Sequence, residues 1–254
     1  MSSMTFIEVG GRPVWHEVAG SGEPVVLLHG GLSGASSFDQ HTPAFVDAGY
    51  RVWIPERRGH GRTPDVDEPL TYAAMASDTI VYLDQVVGDP APLIGWSDGA
   101  VVALLVAMRR PDLVTRMVLI GQYYNSAGRT EDPLADLVID NPDTHEYLRH
   151  EYVAQSPGGD FDTFFGKTQA MWGAEPEIAL AAIAGVRTRT LVLQGDRDDV
   201  LLTHSAAVVD ALPDARLAVL PGTHMLPLES PDLVIRLILS FLTGRPAQRA
   251  DLHP

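Results

Sequence analysis

A serine stands between two glycines in Gly95-Trp96-Ser97-Asp98-Gly99, directly after the apolar run Ala91-Pro92-Leu93-Ile94 and directly before residues 100–108, AVVALLVAM. That order reads as a buried strand, a sharp reversal and an apolar helix, with the Ser97 hydroxyl standing clear of the sheet at the reversal. G-x-S-x-G alone carries little weight in a chain with 23 glycines; the strand and helix on either side carry most of it. Such a serine can attack an acyl carbon, provided a base removes its proton as it does so. The usual base is a neutral histidine, held in the right tautomer by a carboxylate.

Both partners stand downstream. Thr190-Leu191-Val192-Leu193-Gln194 is a β-branched and apolar strand candidate that runs into Gly195-Asp196-Arg197-Asp198-Asp199. A second candidate, Ala215-Arg216-Leu217-Ala218-Val219-Leu220, runs into Pro221-Gly222-Thr223-His224. An acid and then a histidine thus follow the serine, which is the chain order expected around a serine at this kind of turn. Parallel strands bring their carboxyl ends to one edge of a sheet, so Ser97, Asp198 and His224 are the candidate catalytic residues. Asp196 and Asp199 compete with Asp198, because an acidic loop is often merely solvated. Of the nine histidines, His145, His150 and His204 are expected on the surface, and His16, His41 and His253 have no motif around them. His29, at a strand end, and His60, in the turn Arg58-Gly59-His60-Gly61-Arg62, read as structural.

Attack creates an oxyanion that needs preorganised N–H donors. The backbone of Asp98, next after the serine, is one candidate. Gly31, in the loop after Glu23-Pro24-Val25-Val26-Leu27-Leu28-His29, is the other. The glycines of that loop lack the G-x-G-x-x-G spacing of a dinucleotide site, and no P-loop lysine follows them.

Strands and helices must alternate to place these loops. Strands are expected near residues 5–9 and 13–18, with a hairpin at Gly10-Gly11, then up to His29, at 51–55 and at 115–121. Helices are expected near 37–48, over 71–87 with Ala73, Ala76, Ile80, Leu83 and Val87 at helical spacing, and over 231–242. Such alternation implies a mostly parallel sheet covered on both faces. Between residues 122 and 186 the pattern turns helical, with no clear strand. An insertion there would sit over the carboxyl rim as a cap. Tyr123 and Trp172 are the candidate pocket residues; most of Tyr124, Phe161, Phe164, Phe165 and Met171 are expected simply to pack cap onto core. The domain reading is a core of residues 1–121 and 187–243, a helical cap of 122–186, and a frayed tail of 244–254.

The 254 residues, 45% of them hydrophobic, are ample for one such domain. With no cysteine, a thiol nucleophile, a disulfide framework and a thiolate metal site are excluded. A net charge of −15 argues against nucleic-acid binding. No apolar run approaches the ~20 residues of a membrane helix, and the N-terminal residues lack the pattern of a secretory signal. A cytoplasmic protein with a small-molecule substrate, no membrane partner, no cofactor and no metal is the expectation.

The motifs together resemble the α/β-hydrolase family over nearly the whole length. His29-Gly30-Gly31 resembles its oxyanion loop, residues 56–63 (ERRGHGRT) its D-x-R-G-x-G-x-S turn, residues 95–99 its nucleophile turn, residues 195–198 its acid loop, and Gly222-Thr223-His224 its histidine loop. Glu56 and Thr63 depart from the usual Asp and Ser, in a turn thought to be structural. The resemblance implies the α/β-hydrolase fold, with a sheet of about eight strands. Haloalkane dehalogenases and epoxide hydrolases of this fold carry Asp as nucleophile, so Ser97 disfavours those activities. The serine motif, followed by Met117-Val118-Leu119-Ile120-Gly121, is similar to the biphenyl hydrolase-like (valacyclovirase) group. There an acidic residue near the serine is linked to binding the α-amino group of amino-acid esters, which implicates Asp98 in substrate binding. A plain helix-terminal carboxylate is the alternative role. Hydrolysis of a small ester or lactone through an acyl-enzyme is the expected activity. Carbon–carbon hydrolysis or perhydrolysis by the same residues, and a non-turnover ligand receptor, are the alternatives.

Overall fold

Strands that are apolar along their whole length form the middle of the sheet, as expected where helices cover both faces. In the computed structural model, which describes residues 2–129, 142–156 and 158–244, eight strands form one sheet. They are β1 (Ser2–Val9), β2 (Arg12–Gly20), β3 (Glu23–Leu28), β4 (Tyr50–Pro55), β5 (Ala91–Trp96), β6 (Val114–Ile120), β7 (Arg189–Gly195) and β8 (Ala215–Leu220). Their order is β1-β2-β4-β3-β5-β6-β7-β8. β1 and β2 form an antiparallel hairpin, β2 runs antiparallel to β4, and every other pairing is parallel. Residues 130–141 of the expected cap, and the expected tail beyond residue 244, lie outside the described residues.

Along β3 successive side chains enter opposite layers. Val26 and Leu28 join the layer of Met75, Val101 and Leu104, whereas Val25 and Leu27 join that of Phe45, Val234 and Ile238. The helices supplying those layers are α1 (Thr42–Asp47) and α9 (Pro231–Leu242) on one face, and α2 (Tyr72–Tyr82) and α3 (Asp98–Arg109) on the other. Between β6 and β7 the chain runs through α4 (Pro142–Gln155), α5 (Phe161–Ala174) and α6 (Leu180–Ile183); α7 (Leu202–Ala211) and α8 (Leu226–Glu229) follow β7 and β8. Local chemistry sets several starts. Thr71 caps α2 by accepting from the Ala74 N–H at 3.1 Å, Asp160 caps α5 by accepting from the Thr163 N–H at 3.2 Å, and Pro231 opens α9.

Two expectations are corrected. The helix expected over 37–48 is a 3-10 turn (Ala35–Phe38) followed by α1. Pro43 lies in the first turn of α1, where its missing N–H costs nothing, and could not have continued a helix from before it. His204, expected on the surface, is buried. Its α7 packs onto the chain just leaving β6, where His204 Nε2 accepts the Tyr124 N–H at 3.0 Å and the two rings stack at 3.7 Å. Among the described residues no helix is long and apolar enough to cross a membrane.

Candidate active site

The reversal between β5 and α3 places Ser97 at φ 53° and ψ −119°, a conformation that side chains rarely adopt. Its N–H donates to Ile120 O at 2.8 Å, tying the turn to the neighbouring strand. The reversal is possible because both flanking glycines lie against backbone: a Cβ on Gly95 would stand 2.3 Å from Gly99 O, and one on Gly99 2.0 Å from Leu28 O.

Three loops at the carboxyl edge then meet. Ser97 Oγ donates to His224 Nε2 at 2.9 Å, and His224 Nδ1–H donates to Asp198 Oδ1 at 2.7 Å. Asp198 Oδ1 also accepts the Val200 N–H at 3.0 Å, which fixes the carboxylate against the ring. Asp196 instead accepts the Gly222 N–H at 2.9 Å, bracing the histidine loop, while Asp199 lines the cavity. Burial pulls the His224 pKa down, but the Asp198 hydrogen bond and charge, together with the charges of Asp199 and Asp98, outweigh it, and the net shift is above the ordinary 6.5. Trp96, between strand and serine, donates its indole N–H to His224 O at 2.9 Å, a contact that no spacing rule would have found.

Asp98 is the first residue of α3, so its N–H has no intrahelical acceptor and is free for a ligand. Its carboxylate is fully buried. Tyr72 O–H donates to Oδ1 at 2.6 Å, and Trp172 Nε1–H reaches both oxygens at 2.9 and 3.1 Å. Tyr123 O–H meets Tyr72 Oη at 2.8 Å. A substrate ammonium anchored on Asp98 would therefore have to compete with Trp172. Gly31 lies against the same group, since a Cβ there would stand 2.5 Å from Asp98 Oδ2 and 2.5 Å from Trp172 Cζ2.

Above Ser97 lies a cavity of about 440 Å³. Tyr123 and Trp172 line it, as expected from the sequence, together with Arg129, Leu148, Glu151 and Met225, which sequence reasoning missed. Tyr124, Phe161, Phe164, Phe165 and Met171 are instead buried in the apolar cluster that α2 and α3 also supply. The structural readings of His29 and His60 hold. His29 Nε2 accepts the Arg57 N–H at 3.2 Å, and His60 Nδ1–H donates to Arg58 O at 2.9 Å. The Glu56 turn is structural too: the carboxylate takes the N–H of Ala35 at 3.0 Å and of Arg62 at 2.5 Å.

The model of the alpha/beta hydrolase family matches residues 25–237. A putative non-heme bromoperoxidase of Mycobacterium tuberculosis, BpoC, is 28% identical, across 89% of this chain and 95% of that protein. The serine hydrolase BPHL of Mus musculus is 26% identical, across 93% of this chain and 85% of that protein. Among solved structures, the meta-cleavage product hydrolase CumD of Pseudomonas fluorescens superposes with a TM-score of 0.78 over 94% of this chain and 97% of that one, at 23% identity. The chain belongs to the alpha/beta hydrolase family.

Proposed function

We propose that this protein is a serine hydrolase that cleaves a small carboxylic ester or lactone through an acyl-enzyme, with residues 122–186 acting as a cap over a core of 1–121 and 187–243. Ser97 Oγ attacks the carbonyl carbon while His224 Nε2 takes its proton. The N–H groups of Gly31 and Asp98 hold the oxyanion. His224 then returns the proton to the leaving alkoxide, and a water deprotonated by the same imidazole releases the acid and frees Ser97. Asp198 holds Nδ1–H throughout, leaving Nε2 as the acceptor. Tyr123 and Trp172 bound the bound acyl group.

The observation that carries this reading is the unbroken relay from Ser97 Oγ through both nitrogens of His224 to Asp198, at 2.9 and 2.7 Å. A fluorophosphonate probe is expected to label Ser97, and p-nitrophenyl acetate and δ-valerolactone to be turned over. Ser97→Ala should lose the labelling and reduce turnover by at least about a thousandfold, with the unfolding temperature unchanged. Full turnover by Ser97→Ala would remove the serine from the mechanism. In the same panel, amino-acid esters test the anchoring role of Asp98: a preference for them that Asp98→Asn abolishes would support it.

A further inference from the structure

One carbonyl oxygen beside the nucleophile is held by more donors than it has lone pairs. Gly30 O accepts from His29 Nδ1 at 2.8 Å, from Arg57 Nη2 at 2.9 Å and from Ser33 Oγ at 3.0 Å. Arg57 Nη1 also donates to His29 O at 2.5 Å, so the guanidinium fork grips two successive carbonyls. Arg57 is buried. Burial pulls its pKa down to about 10, which leaves it charged at neutral pH, and Asp98 is the anion that offsets its charge. His29 contributes as a fixed neutral donor: its Nε2 accepts from the Arg57 backbone N–H, so Nδ1 carries the proton.

Gly30 C=O and Gly31 N–H belong to one peptide unit. A trans peptide is planar, so its N–H points away from its C=O. Donors that pin Gly30 O on the Arg57 side therefore aim Gly31 N–H the other way, and no described residue accepts it. Drawing electron density onto the carbonyl oxygen also strengthens the N–H of the same unit as a donor. Gly31 lines the cavity beside Ser97.

We infer that Arg57, His29 and Ser33 are positioning residues that orient and polarise the Gly31 N–H as an oxyanion donor, so that the Glu56–Thr63 turn serves transition-state stabilisation as well as folding. The inference rests on the oxyanion role proposed for Gly31. An oxyanion donor is worth about a hundredfold to a thousandfold in rate. A polarisation change of 10–30% per hydrogen bond, applied to that exponent, gives about twofold to eightfold for one lost donor.

The test is Ser33→Ala, with Ser33→Thr as the conservative control and Arg57→Lys as the stronger perturbation. In Ser33→Ala the Gly30 carbonyl ¹³C and Gly31 amide ¹H resonances should move upfield. The kcat for p-nitrophenyl acetate should fall about twofold to eightfold with KM within twofold. Affinity for a trifluoromethyl ketone, which forms the oxyanion, should fall by the same factor, whereas affinity for the corresponding methyl carbinol should not. Ser33→Thr should restore all of these, and Arg57→Lys should lose more than tenfold in kcat. An unmoved Gly31 amide resonance, or an equal loss of affinity for ketone and carbinol, would overturn the inference. The resonances require no turnover, so a wild-type protein inactive on esters would sink the ester reading while the Gly31 shift still decided the polarisation.

Discussion

The protonation of His224 is set by opposing causes of unequal reach. Burial disfavours the imidazolium, while Asp198, hydrogen-bonded to Nδ1 and negatively charged, favours it and, with the charges of Asp199 and Asp98, prevails, so the pKa lies above 6.5. A general base works only when neutral. Activity should therefore fall as pH drops through a value above 6.5, not through the lower value of an unpartnered histidine. Asp198→Asn removes the largest raising cause and leaves burial opposed only by the charges of Asp199 and Asp98, so the acid limb of kcat/KM should move to lower pH. The rate on the plateau should drop by about three to four orders of magnitude, because an amide can hold the wrong tautomer. A pH–rate profile of the variant checks both, and an acid limb that stays in place would assign the titration to another group. Ser97, Asp198 and His224 were legible in the sequence because each follows its own strand at a recognisable loop. Tyr72, Trp96 and Arg57 were not, because they act by touching loops distant in sequence, and no local pattern marks a tyrosine that will meet Asp98 or an arginine that will meet two carbonyls.

Elements were legible where their periodicity is set by one environment. β3 and β5 are buried on both faces and read as continuous apolar runs; α9 carries Val234, Ile235, Ile238, Phe241 and Leu242 on one buried stripe. The misreadings arose where tertiary contacts decide. Polar His204 is buried because α7 meets the chain leaving β6, and helix 37–48 is broken by the position of Pro43. The junction of β5 with α3 is the element-scale contact on which the site depends, because α3 rests directly on the backbone of β3. Gly99→Ala would thrust a methyl to within 2.0 Å of Leu28 O and 2.6 Å of His29 O. Backbone cannot swing aside as a side chain can, so a loss of about 1–3 kcal/mol is expected, as for other overpacked sites. The shift would also move Asp98 N–H and the His29 loop apart, so kcat should fall with stability. Urea unfolding followed beside esterase rate tests this, and an unaltered urea midpoint would show that helix and strand are not in close contact.

The segment between β6 and β7 is held to the rest of the molecule by separated fastenings, and their placement says which side of it can move. Trp172 Nε1 reaches Asp98 and Glu175 accepts the Tyr72 N–H at 2.9 Å, while within the segment Arg129 donates to the carbonyls of Trp172 and Glu175. Farther along α5, Lys167 pairs with Asp65 at 2.8 Å and also donates to Val66 O. α5 is thus tied to the rest of the molecule through Trp172 beside the nucleophile and through Lys167 at a distance from it, and Ser156, just after α4, adds a tie to Gly61 O. The Lys167 tie can be cut without touching the chemistry. Both partners of the Lys167–Asp65 pair are only about one-fifth exposed, yet water still screens them, so the pair is worth about 1 kcal/mol. Lys167→Met, which keeps the aliphatic stem, should therefore speed hydrogen exchange of the α5 amides about fivefold, the factor equivalent to that energy. KM for esters should rise by no more than the same factor, because only the fraction of molecules with the roof closed binds tightly. The kcat should stay within twofold, since the relay of Ser97, His224 and Asp198 lies on core loops alone. Exchange that quickens in α3 as strongly as in α5 would mean that Lys167 supports the whole fold and that the roof does not open as a separate unit.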